Sequence, residues 1–365
     1  MNMKKRRKHH ILFLVLICLI CLFGCSRTRI IDKISIIHVF GFDQAENGEL
    51  IGTALFPDYT MSKDGDQIQK LEEQAPTSIL FVPKMSEYTS TPIELAKVRV
   101  LLLGRNFAEA GIQDMVRRLI LNPQIGTHIQ IAGSTHSAGE TLTKFQKEKS
   151  LTLAERLQQN MQGQYLPYMT LHDFLNDFYG EGVDAYVPMV TIDEKDRVKI
   201  DGIGIFKGDK LKLHLNPDQT TLFSYIEDKR TQATYKMVLD DKNRGEIVTV
   251  RAFHSKSKWD WDQKKERINL RLQLQMTLTQ YPDRFDLKKE QVVMEMKKLI
   301  EEKLEKDLGN LLGTLKENGV DPLGIGNIVR SKDRTWEKAA FYEQYPTLPI
   351  SVNVDLKILH SGLEG

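Results

Sequence analysis

The most regular pattern in the chain lies near its C-terminus. Ile268, Leu270, Leu272, Leu274, Met276 and Leu278 alternate with polar residues, which predicts a strand over 267–279 with one buried face. Behind it, Val292, Met296, Leu299, Ile300, Leu304, Leu308, Leu311, Leu312 and Leu315 fall on one stripe with Lys and Glu filling the other faces. This predicts a long amphipathic helix over 287–318, capped by Asp286 and ended by Gly319 and Asp321-Pro322. A final strand is expected over 349–359, and shorter ones over 233–239 and 246–253. Together these predict an antiparallel sheet packed against a long helix, in an α+β arrangement.

Toward the N-terminus strands alternate with helices. Strands are expected over 34–42, 49–56, 78–82, 97–103 and 128–132, with a helix over 107–121 and shorter ones over 151–161 and 171–178. Turn signals stand at Glu46-Asn47-Gly48 and Lys207-Gly208-Asp209, the second inside a hairpin over 198–215. The division that follows is an address at 1–24, a mixed α/β domain at 25–195, a middle module at 196–230 and a C-terminal α+β domain at 231–365. Two to three mixed domains are thus expected.

The address is a composition break. Lys4, Lys5, Arg6, Arg7 and Lys8 precede an unbroken apolar run of 13 residues, Ile11 to Phe23. That is short of the roughly 20 residues a bilayer-spanning helix needs, and it fits the apolar core of an export signal. Leu22-Phe23-Gly24-Cys25 resembles a bacterial lipobox, in which the cysteine is acylated and the signal is cut just before it. An uncleaved signal anchor is the alternative. The formal charge of +2 is split by this boundary: without the first 24 residues, 46 basic residues face 49 acidic ones, a net −3 over 341 residues. That balance disfavours nucleic acid as a partner.

All three cysteines, Cys18, Cys21 and Cys25, fall at or before the boundary, so the body holds no disulfide, thiolate metal site or cysteine nucleophile. Other chemistry is equally sparse. Thr135-His136-Ser137-Ala138-Gly139 lacks the first glycine of a nucleophile elbow and is read as a helix entry. Gly202-Ile203-Gly204 and Gly324-Ile325-Gly326 are read as backbone-packing positions, because neither has the setting of a phosphate loop. The histidines of the body are scattered without metal-ligand spacing. No catalytic residue, cofactor or metal is therefore assigned. Residues 256–265 interleave Trp259 and Trp261 with charge and are read as a solvated loop, whose tryptophans are candidates for contact with a partner or with lipid headgroups. Gly309 and Gly313 on the long helix are expected to admit a close neighbour.

One set of segments goes further when taken in order. After the lipobox come Arg29 and Gly41-Phe42-Asp43, then Lys97 to Gly104 with Arg117, then Val187-Pro188 and Asp201 to Phe206. Asp321 to Gly326, Trp336, Val352-Asn353-Val354 and Gly362 complete the series. In order and spacing they resemble the Ger(x)C family, the lipoprotein C subunit of nutrient germinant receptors in endospore-forming bacteria. The resemblance implies mixed α/β domains tethered through acylated Cys25 to the outer face of the inner spore membrane. It also implies assembly with a membrane A subunit and a transporter-like B subunit, and no chemistry of its own. A solute-binding lipoprotein serving a transporter is the second reading. It would show two similar βα-rich lobes across a hinge.

Overall fold

The computed structural model describes residues 35–58, 67–122, 125–148, 153–163, 166–227, 232–239 and 245–359. Cys25 and the lipobox lie outside them. The described residues form one compact unit.

The chain enters through β1 (Ser35–Ile36) and β2 (Val39–Gln44), turns at Gly48 and returns as β3 (Leu50–Asp58) and β4 (Gln67–Ala75). A 3-10 turn at Ser78–Leu80 and helix α1 (Phe81–Ser86) follow, then β5 (Ile93–Glu94) and β6 (Val100–Leu103). Helices α2 (Arg105–Ala110) and α3 (Gln113–Leu121) lead to β7 (Gln130–Ser134). Then come α4 (Ala138–Lys147), α5 (Leu153–Gln162) and α6 (Leu171–Tyr179), with β8 (Tyr186–Ile192), β9 (Val198–Lys207) and β10 (Lys210–Leu215) closing the series. While β1 and β5 pair with each other, the other eight of these ten strands make one sheet in the order β10-β9-β8-β7-β6-β2-β3-β4. Its centre, β2-β6-β7-β8, is parallel, and both flanks are antiparallel hairpins. The central strands are buried on both faces, as a parallel sheet under helices requires; β6 is Val-Leu-Leu-Leu without alternation.

Helix α7 (Pro217–Glu227) leads to a second sheet, β11 (Thr234–Val238), β12 (Ile247–Asp262), β13 (Arg267–Gln280) and β14 (Ile350–Ile358), paired in that order. Between β13 and β14 run α8 (Glu290–Glu317), α9 (Ile325–Lys332) and α10 (Lys338–Gln344). The alternation read from the sequence is the register seen: Ile268, Leu270, Leu272, Leu274 and Met276 are all buried. Seven residues of α8, from Met296 to Leu315, are buried along its stripe. Gly319, with φ +65°, ends that helix in the left-handed conformation, and the Val320 amide reaches back to the Leu315 carbonyl at 3.0 Å. The sheet is antiparallel up to its last pair, where β14 lies parallel to β13. A helix interposed between two strands returns the chain to the end where the first strand began, so the second strand enters parallel.

Four local expectations change. Residues 78–82 are a turn and a helix start, with Thr77 accepting from the Ile79 amide. A four-residue apolar run, 79–82, carries no period that separates the two states. The stretch 256–265 is not a loop: β12 continues to Asp262, and only 263–266 turn. Helix α8 starts at Glu290 without a side-chain cap, while the Asp286 carboxylate accepts from the Lys288 amide one turn earlier. A Cβ at Gly309 or Gly313 would meet nothing within 4 Å, so neither glycine serves a close neighbour.

Candidate functional site

Three places concentrate polar side chains or the residues singled out by sequence. The first is a cleft of about 400 Å³ at the carboxyl ends of β2, β6 and β7, where open α/β sheets commonly place ligands. Asp43 ends β2 and turns its carboxylate into the first turn of α4, accepting from the amides of Ala138 and Gly139 at 2.8 Å each. Ser137 is the N-cap, and its hydroxyl accepts from the Glu140 amide at 3.1 Å. The amides that open α4 are thereby satisfied within the protein. Burial pushes the Asp43 carboxyl upward, the two amides pull it down, and the Glu72 charge raises it further. Gly104 makes this possible: a Cβ there would stand 1.7 Å from Asp43 Oδ1. The Gly41-Phe42-Asp43 and Lys97-to-Gly104 segments and the Thr135–Gly139 helix entry are therefore one structural node.

That node explains the broken elbow. The Ser137 hydroxyl is engaged in capping, and His136 Nδ1 lies 3.0 Å from the Thr135 hydroxyl. The cleft walls carry both signs, with Lys70 paired to Glu72 at 3.1 Å and Arg105 to Glu109 at 2.8 Å. Among the described residues there is no cluster of three metal-ligating side chains.

The second place joins the two sheets' surroundings. Asp321 is fully buried before α9, and its carboxylate accepts from the amides of Ile325 (2.8 Å) and Gly326 (2.7 Å) and from the Tyr342 hydroxyl (3.1 Å). Its backbone amide donates to Asp184 Oδ2 at 2.7 Å, and Lys207 Nζ reaches the same oxygen at 3.0 Å while lying 4.1 Å from the Tyr342 ring centre. Burial lifts the Asp321 carboxyl to about 7, against the downward pull of the Gly326 and Ile325 amides, with the Asp184 charge adding to the rise. The Gly324-Ile325-Gly326 element is a packing position here, since a Cβ on Gly326 would stand 2.9 Å from the Gly182 Cα. Sequence reading took Asp321 as a helix terminator and Lys207 as part of a turn signal, and missed Asp184 and Tyr342, which carry no local motif.

The third place holds Trp259 and Trp261. They stand two apart on β12, paired with Leu270 and Ile268, so both point to one face. Both are half-buried and pack on a small cluster built from Ile268, Ile325, Val329, Tyr345 and Leu348. A solvated loop is excluded by this packing. Replacing both tryptophans would remove core contacts as well as any surface they present.

Comparison with known proteins matches the chain in two segments, whose boundary between 192 and 201 falls inside the eight-stranded sheet. Residues 27–192 match the family model described as the spore germination protein N-terminal domain, and residues 201–362 match spore germination B3/GerAC like, C-terminal. The spore germination protein GerQC of Bacillus cereus is 28% identical over 364 residues, covering 98% of this chain and 99% of its own. The crystal structure of the GerBC protein has the same fold, with a TM-score of 0.58 at 14% identity over 88% of this chain and 97% of that one. Among the described residues, no helix is long and apolar enough to cross a membrane.

Proposed function

The chain belongs to the spore germination B3/GerAC-like family, and from that membership we propose that it is a lipid-anchored, non-enzymatic subunit of a nutrient germinant receptor. Acylated Cys25 tethers it to the outer face of the inner spore membrane, where it docks on the A and B membrane subunits and helps convert nutrient binding into germination. The observation that carries the reading is a family match running from residue 27 to residue 362, starting two residues after a lipobox-like cysteine. The engaged Ser137 and the internally satisfied helix entry at Asp43 support a role without catalysis. A solute-binding lipoprotein would have two similar lobes, whereas the sheets here have eight and four strands with different topologies.

The test is co-purification from detergent-solubilised spore membranes. The A and B subunits are expected to be recovered with this chain, and its recovery as a free lipoprotein would count against the reading. A thermal-shift screen with small nutrients separates the second reading, because a solute binder gains stability in proportion to the logarithm of ligand concentration. Trp259 and Trp261 are proposed as part of the contact surface. Their replacement by Ser should lower recovery of the complex, with circular dichroism of the variant checking that the fold survives.

A further inference from the structure

An apolar groove of about 320 Å³ crosses the eight-stranded sheet on the face that carries Phe40, Phe42 and Leu101. One wall is Met115 and Leu119 of α3, the other Ile79 and Val82. Aliphatic side chains stand out into water around it: Ile79 is 64% exposed, Ile120 52% and Leu121 74%. Single exposed apolar residues are ordinary, but several gathered at one apolar groove mark a contact surface.

Topology fixes which end of the sheet this rim occupies. Strands β6 and β7 are parallel neighbours, so α2 and α3 must carry the chain from the carboxyl end of the first to the amino end of the second. Ile120 and Leu121, in the last turn of α3, therefore stand at the amino ends of the parallel strands. The chain also enters there. Ser35 precedes β2 and is paired with Ile93, and Leu95, two residues further on, lines the groove. Cys25 lies ten residues before Ser35, a distance the extended chain spans in at most ~35 Å.

We propose that the α3 side of this rim is a second lipid contact, in which Ile120 and Leu121 enter the bilayer surface beside the acylated Cys25. Ile79 follows β4, whose last residue Ala75 lies level with Leu50 and Gln44, and so stands toward the carboxyl ends. The proposal rests on the lipid tether of the preceding section. Arg117 is exposed on the same helix end, where an anionic headgroup would lie, whereas Arg118, which lines the groove, is paired with Asp114 at 3.2 Å. An aliphatic rim suits hydrocarbon, whereas protein contacts concentrate their binding energy in Trp, Tyr and Arg. A short tether keeps the rim close to the bilayer, so weak apolar contacts suffice to orient the molecule. In that orientation the amino ends of the parallel strands face lipid. The cleft at their carboxyl ends, with Asp43 and Arg105, faces away.

The acylated full chain, reconstituted in vesicles of phosphatidylcholine and phosphatidylglycerol, tests this. No cysteine follows Cys25, so Leu121→Cys and Ile120→Cys each accept a single environment-sensitive fluorophore. Glu140→Cys, exposed at the start of α4 by the carboxyl-end cleft, is the control. Emission from the probes at 120 and 121 should shift to the blue and be quenched by spin-labelled lipid, with neither effect at 140. Probes at 120 and 121 as unquenched as the control would overturn the proposal. A blue shift without lipid quenching would assign the rim to a protein instead and overturn it equally. The intact mass of the chain reads acylation separately: an acylated chain with unquenched probes sinks the lipid contact and leaves the tether. Quenched probes on a membrane-bound chain without the acyl mass sink the tether and leave the contact.

Discussion

Replacing Gly104 by Ala would set a methyl carbon 1.7 Å from Asp43 Oδ1 and 2.8 Å from the Ala138 amide nitrogen, so the carboxylate must leave its place at the start of α4. Asp43→Ala removes the same acceptor without the clash and leaves two buried amides unpaired. Each variant should lose roughly 2–4 kcal/mol in urea denaturation, with equal denaturation midpoints to the parent chain refuting the node. The chain itself displays both residues as parts of separate segments. Their meeting depends on β2 and β6 being paired, which no local pattern encodes. Asp321 yields a prediction of different form. In the unfolded chain its pKa is near the ordinary 3.8, and in the fold it rises to about 7, chiefly through burial. The folded state therefore holds a proton that the unfolded state releases between those values. The stabilisation from this group is full below the lower value and is lost as pH rises through about 7. Asp177, pushed up to about 6 by burial and then by the Asp173 charge, acts with the same sign. Asp321→Asn cannot titrate, so its stability should fall less than that of the parent chain between pH 4 and pH 8. Urea midpoints across that range measure the difference, and parallel curves would sink the assignment.

Elements were legible in proportion to the contrast between their faces. Helix α8 and strand β13 each bury one face and solvate the other, so their periods stand out in the sequence. Strand β4 was missed because it is the sheet's edge: Gln-Ile-Gln-Lys-Leu-Glu-Glu-Gln-Ala offers few apolar positions to count. The parallel seating of β14 was hidden as well, since a strand's residues do not record the direction of its neighbour. That strand is also an edge, and α8 covers its free amides. Val354 donates to Glu305 Oε1 at 2.9 Å and Leu356 to Glu301 Oε1 at 2.8 Å. Unpaired edge amides invite pairing with another chain, so the two glutamates act as edge guards as well as helix residues. The double variant Glu301→Ala/Glu305→Ala should lose about 1–3 kcal/mol and exchange the Val354 and Leu356 amide protons faster. Sedimentation should show a concentration-dependent species absent from the parent chain. Unchanged exchange at both amides would show that the carboxylates are incidental.

At the scale of the whole molecule, the proposed division at Cys25 governs more than any fold detail. The body carries 46 basic residues against 49 acidic ones, too even a balance to hold it on an anionic surface by charge alone. Among its described residues, no helix can span a bilayer. The proposed membrane residence has three candidate sources: residues before Ser35, apolar side chains at the surface, and partners. Covalent acyl chains are the strongest of these: one chain binds marginally, two or more bind stably. Two exposed aliphatic side chains supply less than one acyl chain, so the rim at Leu121 would orient a tethered molecule without retaining a free one. Cys25→Ala separates these sources. Without an acceptor thiol the chain should pass into the soluble fraction of disrupted spores, and the A and B subunits should no longer be recovered with it. Full retention in the membrane fraction, with the N-terminal 24 residues still present by mass, would instead make the apolar run from Ile11 to Phe23 an uncleaved anchor. Retention with those residues removed would shift the burden to protein partners. Fractionation and intact mass together distinguish all three.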